Sequence, residues 1–140
     1  MDKFDLLITE LSSRQPYGVK VLFKRPDYNS ESFKEEIGTV IYVILDRNLV
    51  SVSCGGIDYC VDAKKVKLLL KPMYAMTKED EEAFNKTQSK NFSNDGTFLY
   101  EMTWRSYDWL NKNHFAYRTL EGKTLFQAGL AIEAKEDLYK

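Results

Sequence analysis

Apolar residues Phe4, Leu7, Ile8 and Leu11 fall at i, i+3, i+4 and i+7, which predicts one stripe of a short amphipathic helix. Ser12-Ser13 and then Gln15-Pro16 stop it, because the residue before proline resists helical dihedrals. From residue 18 the period changes from helical to alternating. Residues 18–24 (GVKVLFK) set Val19, Val21 and Phe23 on one face and predict a strand. Residues 25–36 read as a polar loop. Residues 37–45 (IGTVIYVIL) are rich in β-branched side chains and predict a second strand, with a bulge at Gly38. A tight turn over 46–48 leads into a third strand, 49–54, and Gly55-Gly56 is a two-residue hairpin signal. Residues 57–61 predict a fourth strand and 62–65 one helical turn. Residues 66–70 predict a fifth strand, closed by Lys71-Pro72.

Residues 77–80 (TKED) have the form of a capping box, and the helix they open is expected to run on through 81–90. The acidic group Glu79 to Glu82 is read as the dipole-compensated start of that helix rather than as a metal site, because metal sites need carboxylates converging from separate places. Residues 91–97 (NFSNDGT) break the helix. Phe98, Tyr100, Met102 and Trp104 alternate over 98–104 and predict a strand. Ser106 is expected to cap a short helix over 107–113, and the apolar end, 125–134, to pack back onto the body.

These elements predict an α+β fold: an N-terminal helix, a five-stranded SH3-like small β-barrel, and a C-terminal helical and aromatic extension packed on the barrel. A strongly bent sheet that closes on itself hides its edges. An OB-type barrel needs a helix between its third and fourth strands, and the Gly55-Gly56 turn leaves no room for one. The expected organisation is 1–76 (helix plus barrel) and 77–140 (extension), joined as one unit.

The chain has 140 residues, 44% hydrophobic and 14% aromatic, enough for a core and incompatible with whole-chain disorder. Basic and acidic residues number 20 and 21, with net +1 up to Met76 and net −2 after it. Neither half carries the positive field of non-specific nucleic-acid binding. The N-terminal segment is acidic and amphipathic, unlike a signal peptide, and the longest mostly apolar run, VIYVIL, is too short for a bilayer. The expected setting is a reducing cytoplasm, with no membrane partner.

Three segments, 11–21 (LSSRQPYGVKV), 64–84 (KKVKLLLKPMYAMTKEDEEAF) and 108–120 (DWLNKNHFAYRTL) followed by 129–134 (GLAIEA), resemble a family of small uncharacterised proteins from gut anaerobes, their phages and other mobile elements. The most specific piece is WLNKNHF-x-YR with GLAI after it. The resemblance implies a cytoplasmic accessory protein of phage or mobile-element origin and carries no activity with it. Ala116 stands where the family usually has an aspartate, and 119–127 is longer than the usual link.

His114 is the only histidine. Tyr107, Leu110 and His114 share a helical face, and Asp108 lies off it, so acid–base work lacks an orienting carboxylate. Packing, or ending a helix, is the favoured role. Cys54 and Cys60 flank the hairpin and are expected on opposite faces as small structural residues; neither zinc nor a disulfide is suggested. No phosphate-cradling motif appears, and no cofactor is implied. Lys64, Lys65, Lys67 and Lys71 run along the last strand and, with Lys20, Lys24 and Arg25 on the first, make a candidate basic face. Tyr28 and Tyr42 are its candidate stacking residues. The aromatics of 98–117 either form the seam beneath the extension or stay exposed for recognition. The expectation is a non-catalytic interaction protein that binds a protein partner through Trp104, Trp109, Tyr117 and Arg118. The alternatives are nucleic-acid binding through Lys20, Lys24, Lys64, Lys65 and Lys67, and an enzyme centred on His114 with Tyr107 or Asp108 as helper.

Overall fold

A computed structural model describes residues 2–26, 34–92 and 95–140, the side chains of Phe92 and Phe98 excepted. Tyr28 and most of the polar loop therefore lie outside the described residues. Helix α1 spans Lys3–Arg14; the Asp2 carboxylate opens it by accepting the Asp5 N–H at 2.7 Å. A single 3-10 turn, Gln15–Tyr17, and Gly18 at φ 68° then redirect the chain into the sheet.

The first five strands are β1 (Lys20–Lys24), β2 (Glu35–Ile44), β3 (Leu49–Cys54), β4 (Ile57–Asp62) and β5 (Lys67–Leu70). A sixth, β10 (Ala131–Glu133), joins them from the far end of the chain. The order across the sheet is β10-β5-β1-β2-β3-β4. All neighbours are antiparallel except β10 and β5, which run parallel. The expected five-stranded SH3-like barrel is thus overturned: the sheet has six strands, is mixed, and stays open. At one end β10 pairs with β5 and forms the edge. At the other end, β4 curls towards β1 without pairing, and the rings of Phe23 and Tyr59 lie 5.9 Å apart across the approach. Cationic side chains of 24–25 and 64–67 line the remaining gap, and sealing it would strip them of water.

One face of the sheet carries the core. Val19, Val21, Phe23, Val40, Val50, Val52, Val61, Leu68 and Leu70 are buried against Leu6, Leu7 and Leu11 of α1 and against Leu125, Leu130 and Ala131. Each large apolar side chain so buried contributes about 1.5–3 kcal/mol. The bulge falls at Ile41, between the pairs Val40–Val52 and Tyr42–Ser51, and not at Gly38. Gly38 answers a different need. A Cβ there would meet Val52 Cγ1 at 2.3 Å, and Phe23 Cε1 and the Ser53 carbonyl oxygen at 2.9 Å, so only glycine lets these strands pack. Gly55 and Gly56, at φ 61° and 82°, form the hairpin turn, and Cys54 pairs with Ile57.

Helix α2 covers Lys78–Asn85, with both reciprocal bonds of the Thr77–Asp80 capping box at 3.1 Å. It ends sooner than the sequence pattern suggests. Thr87 Oγ1 donates to the Phe84 carbonyl, and the chain turns into β6 (Ser89–Phe92), which pairs with β7 (Phe98–Glu101). Helix α3 covers Trp104–Lys112, so the expected strand stops at Glu101. Its N-cap is Thr103, and Ser106 closes the box from the third position, where its Oγ accepts the Thr103 N–H at 2.9 Å. Two hydroxyls, those of Thr103 and Ser106, donate to the Thr87 carbonyl and lock α3 to the end of α2. A small ribbon, β8 (Thr119–Leu120) and β9 (Lys123–Thr124), precedes β10. Among the described residues no helix is long and apolar enough to cross a membrane.

Candidate functional site

The apolar stripe of α1 continues past Leu7 and Leu11 to Glu10 and Arg14, which both have 0% exposure. Arg14 Nε donates to Glu10 Oε2 at 2.5 Å, and one terminal nitrogen donates to the Phe115 carbonyl at 2.6 Å. Arg118 reaches the other Glu10 oxygen at 2.8 Å. Both guanidinium groups lie over the Tyr117 ring, at 5.3 Å and 5.0 Å. Burial pushes the Tyr117 hydroxyl up, and it donates to Asn111 Oδ1 at 3.0 Å. Among the described residues Arg14 Nη1 is buried without a hydrogen-bond partner.

His114 ends α3 in the left-handed conformation, φ 64°, and its carbonyl accepts the Lys71 N–H at 2.7 Å. Its ring stacks on Tyr139, with centroids 3.6 Å apart and planes 12° apart. The Tyr139 hydroxyl accepts the Lys20 N–H at 2.8 Å and donates to the Leu69 carbonyl at 2.6 Å; burial pushes it up to about 12. Burial, and then the charges of Lys71, Arg14 and Lys20, push the imidazole down to about 4. A helix C-terminus favours a cation, but here desolvation and three neighbouring cations win. Among the described residues His114 Nδ1 has no hydrogen-bond partner. Among the described residues neither proposed helper bonds to it. The Asp108 carboxylate accepts the Tyr17 hydroxyl, and the Tyr107 ring lies against Tyr117 at 5.4 Å.

The C-terminal aromatics divide between seam and surface. Phe115 is fully buried, and Trp109 stacks on it at 5.6 Å and 11° while touching Phe84 at 5.7 Å. Trp109 is therefore a clamp between α2, α3 and the chain after it. Trp104 is 72% exposed and carries Arg105 against its ring at 5.5 Å. Tyr107, one turn along the helix, is 43% exposed. Tyr107, Tyr117 and Arg118 line a shallow depression of about 530 Å³ with Leu6 and Thr119. Of the residues expected to contact a partner, Tyr117 and Arg118 come together, Trp104 stands on the adjoining helix flank, and Trp109 faces elsewhere.

The expected basic face separates too. Lys24, Lys64, Lys65 and Lys67, joined by Arg25, line a groove of about 630 Å³ at the open side of the sheet. Leu22, Phe23, Pro26 and Val61 supply its apolar lining, and Glu35 and Asp62 its carboxylates. The Asp62 carboxylate accepts the Lys64 backbone N–H at 2.9 Å, Arg25 pairs with Glu36, and Lys64 Nζ lies 5.0 Å from the Phe4 ring. Lys20 stays out of the groove. It sits at the opposite end of β1 and donates to Thr39 Oγ1 at 3.1 Å. Tyr42 also lies outside it, half-exposed on the far face.

Cys54 and Cys60 are free thiols, and the β3–β4 register sets them on opposite faces. Among the described residues no group of histidine, cysteine and carboxylate side chains is placed to hold a metal. Comparison with protein families, curated proteins and solved structures returns no match. The features that sequence reasoning missed are Glu10, Arg14 and Tyr139. A usable signal existed for the first two: charges spaced i, i+4 and lying within an apolar helix stripe.

Proposed function

We propose that this chain is a non-catalytic interaction protein that docks a protein partner on the corner made by Trp104, Tyr107, Tyr117 and Arg118. The observation that carries the reading is Trp104, a tryptophan 72% open to water beside an aromatic and arginine-lined depression. Trp, Tyr and Arg dominate binding energy when an interface covers them. The buried Glu10 network holds Arg118 and Tyr117 in place before any partner arrives, which lowers the ordering cost of binding. A cytoplasmic setting and a phage or mobile-element origin complete the proposal and rest on the sequence resemblance. Affinity capture from host lysate tests it, with wild type and Trp104→Ala compared side by side. The wild type retains a specific protein, and the variant retains it at least about thirtyfold more weakly, as befits an interface hot spot. Identical capture by the two proteins overturns the assignment. Because Trp104 is exposed, the urea midpoint of the variant stays close to wild type.

A further inference from the structure

The groove at the open side of the sheet is a second surface, remote in sequence from the aromatic corner, and it combines two features. The first is an unpaired strand edge. The Gly55-Gly56 loop joins β3 and β4 as a two-residue hairpin, so the flanking pair Cys54–Ile57 exchanges both ladder bonds. Alternation then gives inward bonds to Tyr59 and Val61, and turns the backbone N–H and C=O of Asp58, Cys60 and Asp62 away from β3. Among the described residues no strand pairs with that side of β4. Cys60, Val61 and Asp62 form one wall of the groove. The second feature is charge. Five cationic side chains line the groove against two carboxylates; Arg25 pairs with Glu36, and the Asp62 carboxylate keeps its charge while accepting the Lys64 N–H, so the surplus is positive but modest.

We infer that this groove takes an extended acidic peptide, added along β4 as a seventh strand. Backbone hydrogen bonds to an exposed edge give affinity, and alternate side chains give selectivity. Acidic side chains at every second position meet Lys67, which shares a face with its cross-strand partner Leu22, and the neighbouring Lys64 and Lys65, while the intervening apolar ones turn to the opposite face, where Phe23 and Val61 line the groove. Those three lysines are exposed, Lys64 and Lys65 within the turn that follows β4 and Lys67 at the start of β5. A polynucleotide fits less well. It brings no backbone N–H and C=O groups to the strand edge, whereas the net charge of −1 and the groove carboxylates bear equally on any polyanion.

Fluorescence anisotropy on the full chain decides the matter, with labelled peptides the length of β4 as probes. An end-blocked peptide alternating glutamate and valine binds saturably. A peptide of the same charge with proline at every second position, which cannot complete the ladder, binds at least about tenfold more weakly. The double variant Lys64→Glu with Lys67→Glu loses affinity by a similar factor while its urea midpoint stays near wild type, since both side chains are exposed. Trp104→Ala leaves peptide binding unchanged, which keeps this result separate from the partner-capture test. Three outcomes overturn the inference: no saturable binding, equal binding of the proline-bearing peptide, or tighter binding of an oligothymidylate of matched charge.

Discussion

Replacing Glu10 with Gln removes one charge and almost no volume, so it isolates the electrostatics of the buried network. In the native protein the carboxylate holds Arg14 at 2.5 Å and Arg118 at 2.8 Å, with Glu10 and Arg14 side chains both at 0% exposure. After the substitution Arg14 keeps its bond to the Phe115 carbonyl, but its charge is buried without an opposing one, and among the described residues Nη1 has no partner even in the wild type. Arg118 escapes the problem because 29% of its side chain already meets water. Breaking a buried pair from one side costs about 3–5 kcal/mol. Set against the roughly 5–15 kcal/mol of a typical domain, that is a large part of the total. Urea unfolding followed by tryptophan fluorescence reads the effect. With a slope of about 1–3 kcal/mol per molar, the midpoint falls by about 2 M at constant slope. The double variant Glu10→Leu with Arg14→Met removes both charges and returns the midpoint to near wild type, as apolar replacement of whole buried pairs does elsewhere. A Glu10→Gln midpoint within about 0.3 M of wild type, or a double variant no better than the single one, refutes the reasoning.

Acid acts through His114. Its pKa drops on folding from the ordinary 6.5 to about 4, so between these values the unfolded chain binds the extra proton. The stability this group contributes is whole above the unfolded value and is lost as pH falls through the window, at about 1.4 kcal/mol per pH unit and about 3 kcal/mol in all. His114→Asn, which tolerates the left-handed backbone, flattens that part of the urea-midpoint profile; an unchanged slope between about pH 6.5 and 4 counts against the assignment. Gly38→Ala costs about 1–3 kcal/mol through overpacking, because its new methyl meets a backbone carbonyl and the buried Phe23. A urea midpoint equal to wild type shows that β2 and β3 can part to admit it.

The strands that alternate most strongly, such as 18–24 and 49–54, were readable because one-sided burial imposes a period of two on the sequence. Closure was not readable. Whether β5 meets a neighbouring strand or the far edge of its own sheet depends on Ala131–Glu133, a three-residue segment with no period to detect. The β6 strand was hidden for a similar reason: its four residues follow a helical pattern whose end is set by one threonine hydroxyl. Grouping Lys24 with Lys64, Lys65 and Lys67 followed from treating the first and last strands as neighbours, and β1 and β5 do pair. Including Lys20 ignored distance along the strand, since four residues span roughly 13 Å. The aromatic stretch was visible, yet its division into Trp109 inside and Trp104 outside depends on which flank of α3 meets Phe84 and Phe115. The pairing of Glu10 and Arg14 was missed because charged residues were assigned to water by default.

The parallel partner of β5 has a consequence for biosynthesis. Ribosomes deliver β10 after every other strand of the sheet, so the nascent chain carries β5, three of whose four residues are buried in the folded protein, with one flank bare until β10 follows. Contacts that join distant parts of a polypeptide form slowly. Completion of this sheet is therefore a late step, and in the interval the uncovered flank is where another molecule can add its own strand.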